Sequence, residues 1–252
     1  MGAALAARLR HAGRTVLWAS TGRGEDTIRR AEAAGLRDAC TVDEVAGASG
    51  LILSVCPPHA ALNVAGSVLG YDGIYVDANA VSPMTAREIG EVIEAGGGRF
   101  VDGGIVGPPP GDGVATRLYL SGAEAPQVAA LFEGTLVQAR IVSDEPGAAS
   151  AVKMAYAAWT KGTAALLLAI RAVARAGGVE DPLLDEWRES IPDLPERSVR
   201  AARAADAKGW RWVGEMEEIA RTFESVGLPA GFHQAAAEIY RRTPELTPEY
   251  ER

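Results

Sequence analysis

Cysteine is scarce in this 252-residue chain, and the two present, Cys40 and Cys56, stand outside any CxxC or Cys/His cluster. Neither a disulfide framework nor a zinc site is therefore encoded, and a reducing, cytoplasmic setting fits. Only three histidines occur, and none stands at ligand spacing from the carboxylates Glu215, Glu217 and Glu218, so no catalytic metal is expected. No run of five basic residues occurs, and 33 acidic residues outnumber 25 basic ones. That balance argues against nucleic acid or an anionic membrane as a partner. The most apolar run, residues 164–170, is closed by Arg171 and is far short of a membrane span. The opening MGAALAARLRHAGR has Ala6 where a myristoylation signal wants Ser or Thr, and it leads directly into a strand, so it is read as part of the fold.

What is present divides in two. Residues 3–12 have helical periodicity stopped by Gly13, and 15–19 form a β-rich run. Helices over 25–34, 42–46, 59–69 and 83–95 alternate with strands over 50–55, 73–77 and 99–102. Strands over 117–121 and 139–142 close the set. Helices between short strands imply crossovers and a mainly parallel sheet. Past Pro146 no strand is evident. Helices over 148–176, 182–190, 196–207, 212–226 and 232–242 are separated by Gly and Pro, Gly209 among them, and a polar tail ends the chain. The expected organisation is an α/β domain over 1–145 followed by an all-α domain over 146–252.

Chemistry concentrates where the halves meet. The Gly/Pro-rich stretch VDGGIVGPPP precedes an apolar helix on which Lys153 is nearly solitary; between Glu145 and Arg171 only Lys161 is also charged. A lysine in that setting either snorkels to water or points into a polar cavity where its proton is useful, and spacing alone leaves both open.

These segments, in this order, resemble the β-hydroxyacid dehydrogenase and 6-phosphogluconate dehydrogenase superfamily. MGAALAARLRHAGRTVLWAS is similar to its helix and second strand, VDANAVSP to its cofactor-facing strand end, VDGGIVGPPP to its substrate loop, GAASAVKMAY to its catalytic helix, and WRWVGEMEEIARTFESVGLP to its C-terminal active-site helix. The tripled proline and GFHQAAAEIY are most similar to a bacterial subfamily of oxidoreductases with an uncharacterised C-terminal domain. The resemblance spans essentially the whole chain and implies a Rossmann-like fold, a nicotinamide cofactor and Lys153 as general acid/base. It also implies a homodimer through the helical domain. In an apolar pocket such a lysine has its pKa drawn toward neutrality, which suits proton transfer beside a hydride step.

The resemblance further implies a first strand and earlier fingerprint glycines ahead of Met1 and Gly2, which look like the last two residues of that turn. A start set too far downstream is the expectation, and loss of cofactor binding the alternative. In LWASTGRG, Ser20, Thr21 and Arg23 replace the acidic residue that would accept from an NAD ribose, which favours NADP over NAD. Arg23 reads equally well as an exposed loop arginine. Cys56, Pro57 and Pro58 correspond to the loop over the dinucleotide, with Cys56 an inert packing residue, and Asn79 lies beside the nicotinamide. On the substrate side, Gly104, Val106 and Gly107 match the family loop, with Val106 where the family has serine. Tyr156 replaces an asparagine, as a donor, a proton relay or a packing group. Glu215 follows Gly214 where a basic residue is usual, and His233 either reaches the pocket or serves as a cap or partly buried group. Less positive charge than a hydroxy-acid site normally carries opens the reading to a neutral ketone or an imine. Three functions stay in play: an NADP-dependent dehydrogenase or reductase of small hydroxy or keto substrates, an imine reductase, and a cofactor-less binding or dimerisation module.

Overall fold

A computed structural model of the chain describes residues 1–246, and two compact units divide it: Met1–Lys153 and Met154–Arg252. In the first unit, helix α1 (Gly2–His11) leads to β1 (Leu17–Trp18), α2 (Glu25–Ala33), β2 (Arg37–Asp38), α3 (Val42–Ala48) and β3 (Leu51–Ser54). A 3₁₀ turn (Pro58–Ala60) and α4 (Ala61–Gly66) follow, then β4 (Ile74–Asp77), α5 (Pro83–Ala95), β5 (Arg99–Val106) and β6 (Thr116–Ser121). After these come α6 (Ala125–Ala130), β7 (Val137–Ser143) and the start of α7 (Ala148–Ala157). The chain thus has the α/β class expected, with a mainly parallel sheet: β3, β4 and β5 run parallel, β6 joins β5 antiparallel, and β7 is parallel to β6. Strands β1 and β2 pair in parallel as a separate two-stranded sheet.

Alternation along β4 shows how the layers form. Ile74 and Val76 enter one core with Leu5 and Leu9 of α1, Val128 of α6 and Phe132. Tyr75 between them enters the opposite core with Ala61 and Ala65 of α4 and Ile89 and Ile93 of α5. Period-2 side chains between two helical layers require every residue of β4 to be apolar or internally bonded, and all four are buried. β3 is as apolar in sequence, yet Leu51, Ile52 and Leu53 are only half-buried, because among the described residues β3 has a ladder partner on one side alone.

The second unit is helical throughout its described residues. The helix begun as α7 continues through a π turn (Ala158–Gly162) into α8 (Thr163–Ala176), followed by α9 (Glu180–Ser190), α10 (Leu194–Ser225), α11 (Gly231–Arg241) and α12 (Thr243–Leu246). The expected tail thus begins as a helical turn, and residues 247–252 lie outside the described residues. Ala148–Ala176 is, by length and composition, apolar enough to cross a membrane. Its Leu167, Leu168, Arg171 and Ala174 are buried, and Arg171 bonds Glu180 and Ser198, so it serves here as a packed element of the unit.

Several boundaries differ from the sequence reading, each for a physical reason. Gly209 does not end a helix; it lies inside the 32-residue α10, where an added Cβ would sit 3.3 Å from Thr243 Oγ1 and 3.5 Å from the Tyr240 ring. Close packing, not a break, selects glycine there. Pro195 stands in the first turn of α10, where its missing N–H costs nothing. The 59–69 helix resolves into a 3₁₀ turn and the six-residue α4, and β2 and α6 are too short for periodicity to reveal them.

Candidate active site

The carboxyl ends of parallel strands are where an open α/β sheet can bind ligands, and the ladder registers show which residues meet there. Ser54 pairs with Asp77 and Asp77 with Asp102. Two residues past these last paired positions stand Cys56 and Asn79, beyond the ends of β3 and β4, and Gly104 along β5, a row at the carboxyl edge of the sheet. A shared polar network confirms the first step. Asn79 Oδ1 accepts from the Cys56 N–H, and Asn79 Nδ2 donates to Asp77 Oδ1 and to Ser54 Oγ at 3.1 Å. Asn79 and Asp77 are 2% and 0% exposed, so the row is rigidly held. The Cys56 thiol is pushed up to about 11, first by burial and then by the Asp77 charge. It stays protonated at neutral pH and is no nucleophile. Pro57 is exposed and Pro58 half-buried beside it.

Lys153 is joined to the end of that row. An added Cβ on Gly104 would lie 2.7 Å from Ala149 O and 3.0 Å from Lys153 Cβ, so α7 rests directly on the β5 backbone. One turn earlier, the helix start is fixed by Asp102, which faces the same way as Gly104 because it is two residues before it. Asp102 Oδ2 accepts from Ser121 Oγ (2.9 Å), Gly147 N (3.0 Å) and Ser150 N (2.9 Å), and Oδ1 from Ser150 Oγ (2.6 Å). Ser121, opposite Asp102 in the β5–β6 ladder, accepts from Ala149 N at 3.0 Å. Two side chains of the sheet thus take the N–H groups that a helix start leaves unpaired.

Beyond β1 the predicted adenosine-side residues lie close together but differ in state. Gly2 opens α1 against the end of β3, its would-be Cβ 3.4 Å from Val55 Cβ. Thr21 and Arg23 are exposed and Ser20 half-buried. The Arg23 charge reaches Cys56. Asp38, at the end of β2, is held below the usual carboxylate range first by the Ser20 hydroxyl and then by the Cys40 N–H, which donates to it at 2.8 Å. A carboxylate therefore stands beside Ser20, from a strand too short to have been recognised.

On the substrate loop, Val106 is 3% exposed at the end of β5, so its side chain packs away from solvent, while Gly107 is exposed with φ +117. Thr116 Oγ1 donates to the carbonyl of Pro108 and ties the proline run to β6.

In the helical unit, Glu215 is ion-paired with Lys161 from the π turn, with side-chain exposures of 9% and 16%. Lys161 Nζ lies 5.8 Å from the Trp212 ring, and its carbonyl accepts from the Tyr240 hydroxyl at 2.6 Å. His233 is 3% exposed, edge-on to Phe223 and Phe232. Tyr156, by contrast, is 47% exposed. Trp212 packs on Tyr240, whereas Trp210 is 68% exposed under Arg211. Sequence reasoning missed Asp102, Ser121, Ser150, Asp77, Asp38 and Lys161. For Asp102 and Asp77 a signal existed: a carboxylate ending an apolar strand is costly unless it has donors.

Comparisons with known proteins agree with this architecture. Residues 174–243 match a family described as a domain of unknown function, DUF1932. A protein of Methanothermus fervidus, described as an uncharacterised 28.5 kDa protein in the 7S RNA 5′ region, is 32% identical over 170 residues, 67% of this chain. The match covers 65% of that relative's own length. A solved conserved protein of unknown function, described as structurally similar to 3-hydroxyacid dehydrogenases, is 29% identical, with 98% of this chain and 95% of that one covered and a TM-score of 0.71. Two enzymes share the fold at lower identity. The 3-hydroxyisobutyrate dehydrogenase of Mycobacterium tuberculosis, solved with L-serine, is 16% identical (97% and 90% covered, TM-score 0.73). An imine reductase of Streptomyces aurantiacus is 22% identical (96% and 90%, TM-score 0.55).

Proposed function

We propose that this chain, which belongs by fold to the superfamily of the 3-hydroxyacid dehydrogenases, is an NADP-dependent oxidoreductase of small hydroxy or keto substrates with Lys153 as general acid/base. The observation that carries the reading is the placement of Lys153 on Gly104, at the end of the row Cys56, Asn79, Gly104 across the carboxyl edge of the sheet. The residues fit a nicotinamide dinucleotide. α1 opens at that edge with no acidic residue in its first turn, so the positive end of its dipole is available to the pyrophosphate near Gly2. Ser20, Thr21 and Arg23 would hold the adenosine ribose and its phosphate, and Cys56, Pro57, Pro58 and Asn79 the nicotinamide end. When bound, the cofactor supplies or takes the hydride. Lys153 would then give a proton to, or take one from, the substrate oxygen. Backbone N–H groups at Gly104 and Gly107 would orient the substrate beside Val106.

Lys153→Ala is expected to lower turnover by about 100-fold or more while leaving NADPH affinity, read by fluorescence titration, within about twofold, well inside one kcal/mol. The substrate panel is 3-hydroxy acids, their keto forms and cyclic imines. Loss of cofactor binding instead of turnover would remove Lys153 from that role. Turnover of imines alone would select the imine reductase, and binding of neither nucleotide would favour the cofactor-less module. One observation favours NAD as a second reading: Asp38 occupies the Ser20 hydroxyl and would repel a 2′-phosphate. Under the leading reading Asp38→Asn strengthens NADPH binding and leaves NADH unchanged; weakened NADH binding would assign Asp38 to an NAD ribose. A cytoplasmic homodimer through the helical unit belongs to the same proposal. It is supported by exposure of Tyr156, Trp159, Leu166 and Val173 along one apolar helix.

A further inference from the structure

We propose that Asp102, acting through Ser121 and Ser150, is a positioning residue that holds Lys153 over Gly104 and so sets where its ammonium can reach. The proposal rests on Lys153 being the acid/base group. Asp102 is 0% exposed, and a carboxylate taken wholly out of water is costly unless its lone pairs are filled. All four of its donors are neutral, two hydroxyls and two backbone N–H groups, and three belong to the first turn of α7 or the residue before it. A serine alone would suffice to cap a helix, and Ser121 already takes Ala149 N. The carboxylate adds a second, rotational restraint, because Ser150 is gripped both by its backbone and by its hydroxyl.

The geometry then transmits that grip one turn along the helix. Ser150 and Lys153 are three residues apart and share a face, as do Asp102 and Gly104 on the strand. Helix and strand therefore touch at two points: Ser150 on Asp102, and Lys153 with Ala149 on Gly104, where even a methyl group has no room. A lysine has a long, flexible stem, so the location of its Cβ decides whether its nitrogen meets the row at Asn79 and Gly104. A displacement of about 1 Å at a reacting group can cost about 100-fold in rate.

The test reads Lys153 directly and needs no substrate. The chain contains three lysines, Lys153, Lys161 and Lys208, so trace acetylation with acetic anhydride at pH 8, followed by peptide mass spectrometry, resolves each one. Exposed Lys208 is the internal standard. In Ser150→Ala, Ser121→Ala and Gly104→Ala, the Lys153 to Lys208 labelling ratio should rise at least threefold over wild type, with Asp102→Asn, which retains the shape and one acceptor oxygen, in between. An unchanged ratio in variants that melt cooperatively near the wild-type temperature overturns the proposal. Failure of all the variants to fold also overturns it, by reducing Asp102 to a structural cap. The outcomes separate from those of the underlying reading. A raised ratio together with an active Lys153→Ala enzyme sinks the acid/base role alone, and an unmoved ratio with an inactive one sinks the positioning role alone.

Discussion

His233, packed edge-on between Phe223 and Phe232, has its pKa lowered below the ordinary 6.5 by burial, and its buried Nδ1 has no hydrogen-bond partner among the described residues. The native state thus binds fewer protons there than the unfolded chain does, so stability rises with pH. Its contribution is complete above pH 6.5 and is lost as the pH falls below that value toward the lower native pKa. Thermal melts at pH 7.5 and 5.5 should show a smaller acid-side drop in His233→Leu than in wild type; equal drops would mean that other groups set the pH dependence. Such a residue also marks the limit of what sequence shows. The solitary charge of Lys153 in an apolar helix was legible, as was the glycine under it. The Lys161–Glu215 pair was not, because the residues are 54 positions apart and meet only through a π turn that leaves no pattern in composition. Asp38 was hidden for a different reason: a two-residue strand has no period to read.

Between helices, one tie in the described residues of the helical unit is a shared carboxylate. Glu180 at the start of α9 accepts from Arg171 Nε at 2.6 Å and from Arg175 at 3.0 Å, both on α8, while Arg171 also donates to Ser198 of α10 at 2.8 Å. Arg171 is 7% exposed, so removing Glu180 takes the carboxylate away from a guanidinium held inside the packing. Glu180→Ala should cost about 2–3 kcal/mol in a urea melt, at or below the range for a fully buried pair because Glu180 itself is partly solvated. A loss below about 0.5 kcal/mol would mean that the pair is merely superficial. By contrast, the capping box of α3, where Thr41 Oγ1 accepts from Glu44 N and Glu44 returns to Thr41 N, follows from the spacing T-x-x-E. Elements of this kind were legible because local chemistry decides them. α10 was not, since Gly209 looks like punctuation until Tyr240 and Thr243, on later helices, are seen to need the room.

At the scale of the molecule, the alternation of helix and strand followed by helices alone was enough to give the class, while the superfamily came from the resemblance of motifs such as VDGGIVGPPP and GAASAVKMAY. It did not give the division of the strands into two sheets. The β1–β2 sheet holds two residue pairs and the other sheet five strands, so backbone protection should be uneven. Hydrogen exchange at Trp18 and Asp38 should be faster by orders of magnitude than at Tyr75, Val76 and Val101; equal protection would mean that the small sheet unfolds only with the large one. The outer side of β3 carries a further consequence. Leu51, Ile52 and Leu53 present a half-exposed apolar row of backbone groups with no strand alongside among the described residues, and neither lysine nor a bulge interrupts them. During renaturation from urea, such a border is a seed on which loose chains can stack. The recovered soluble fraction should therefore drop steeply with protein concentration, even where the folded protein itself stays clear.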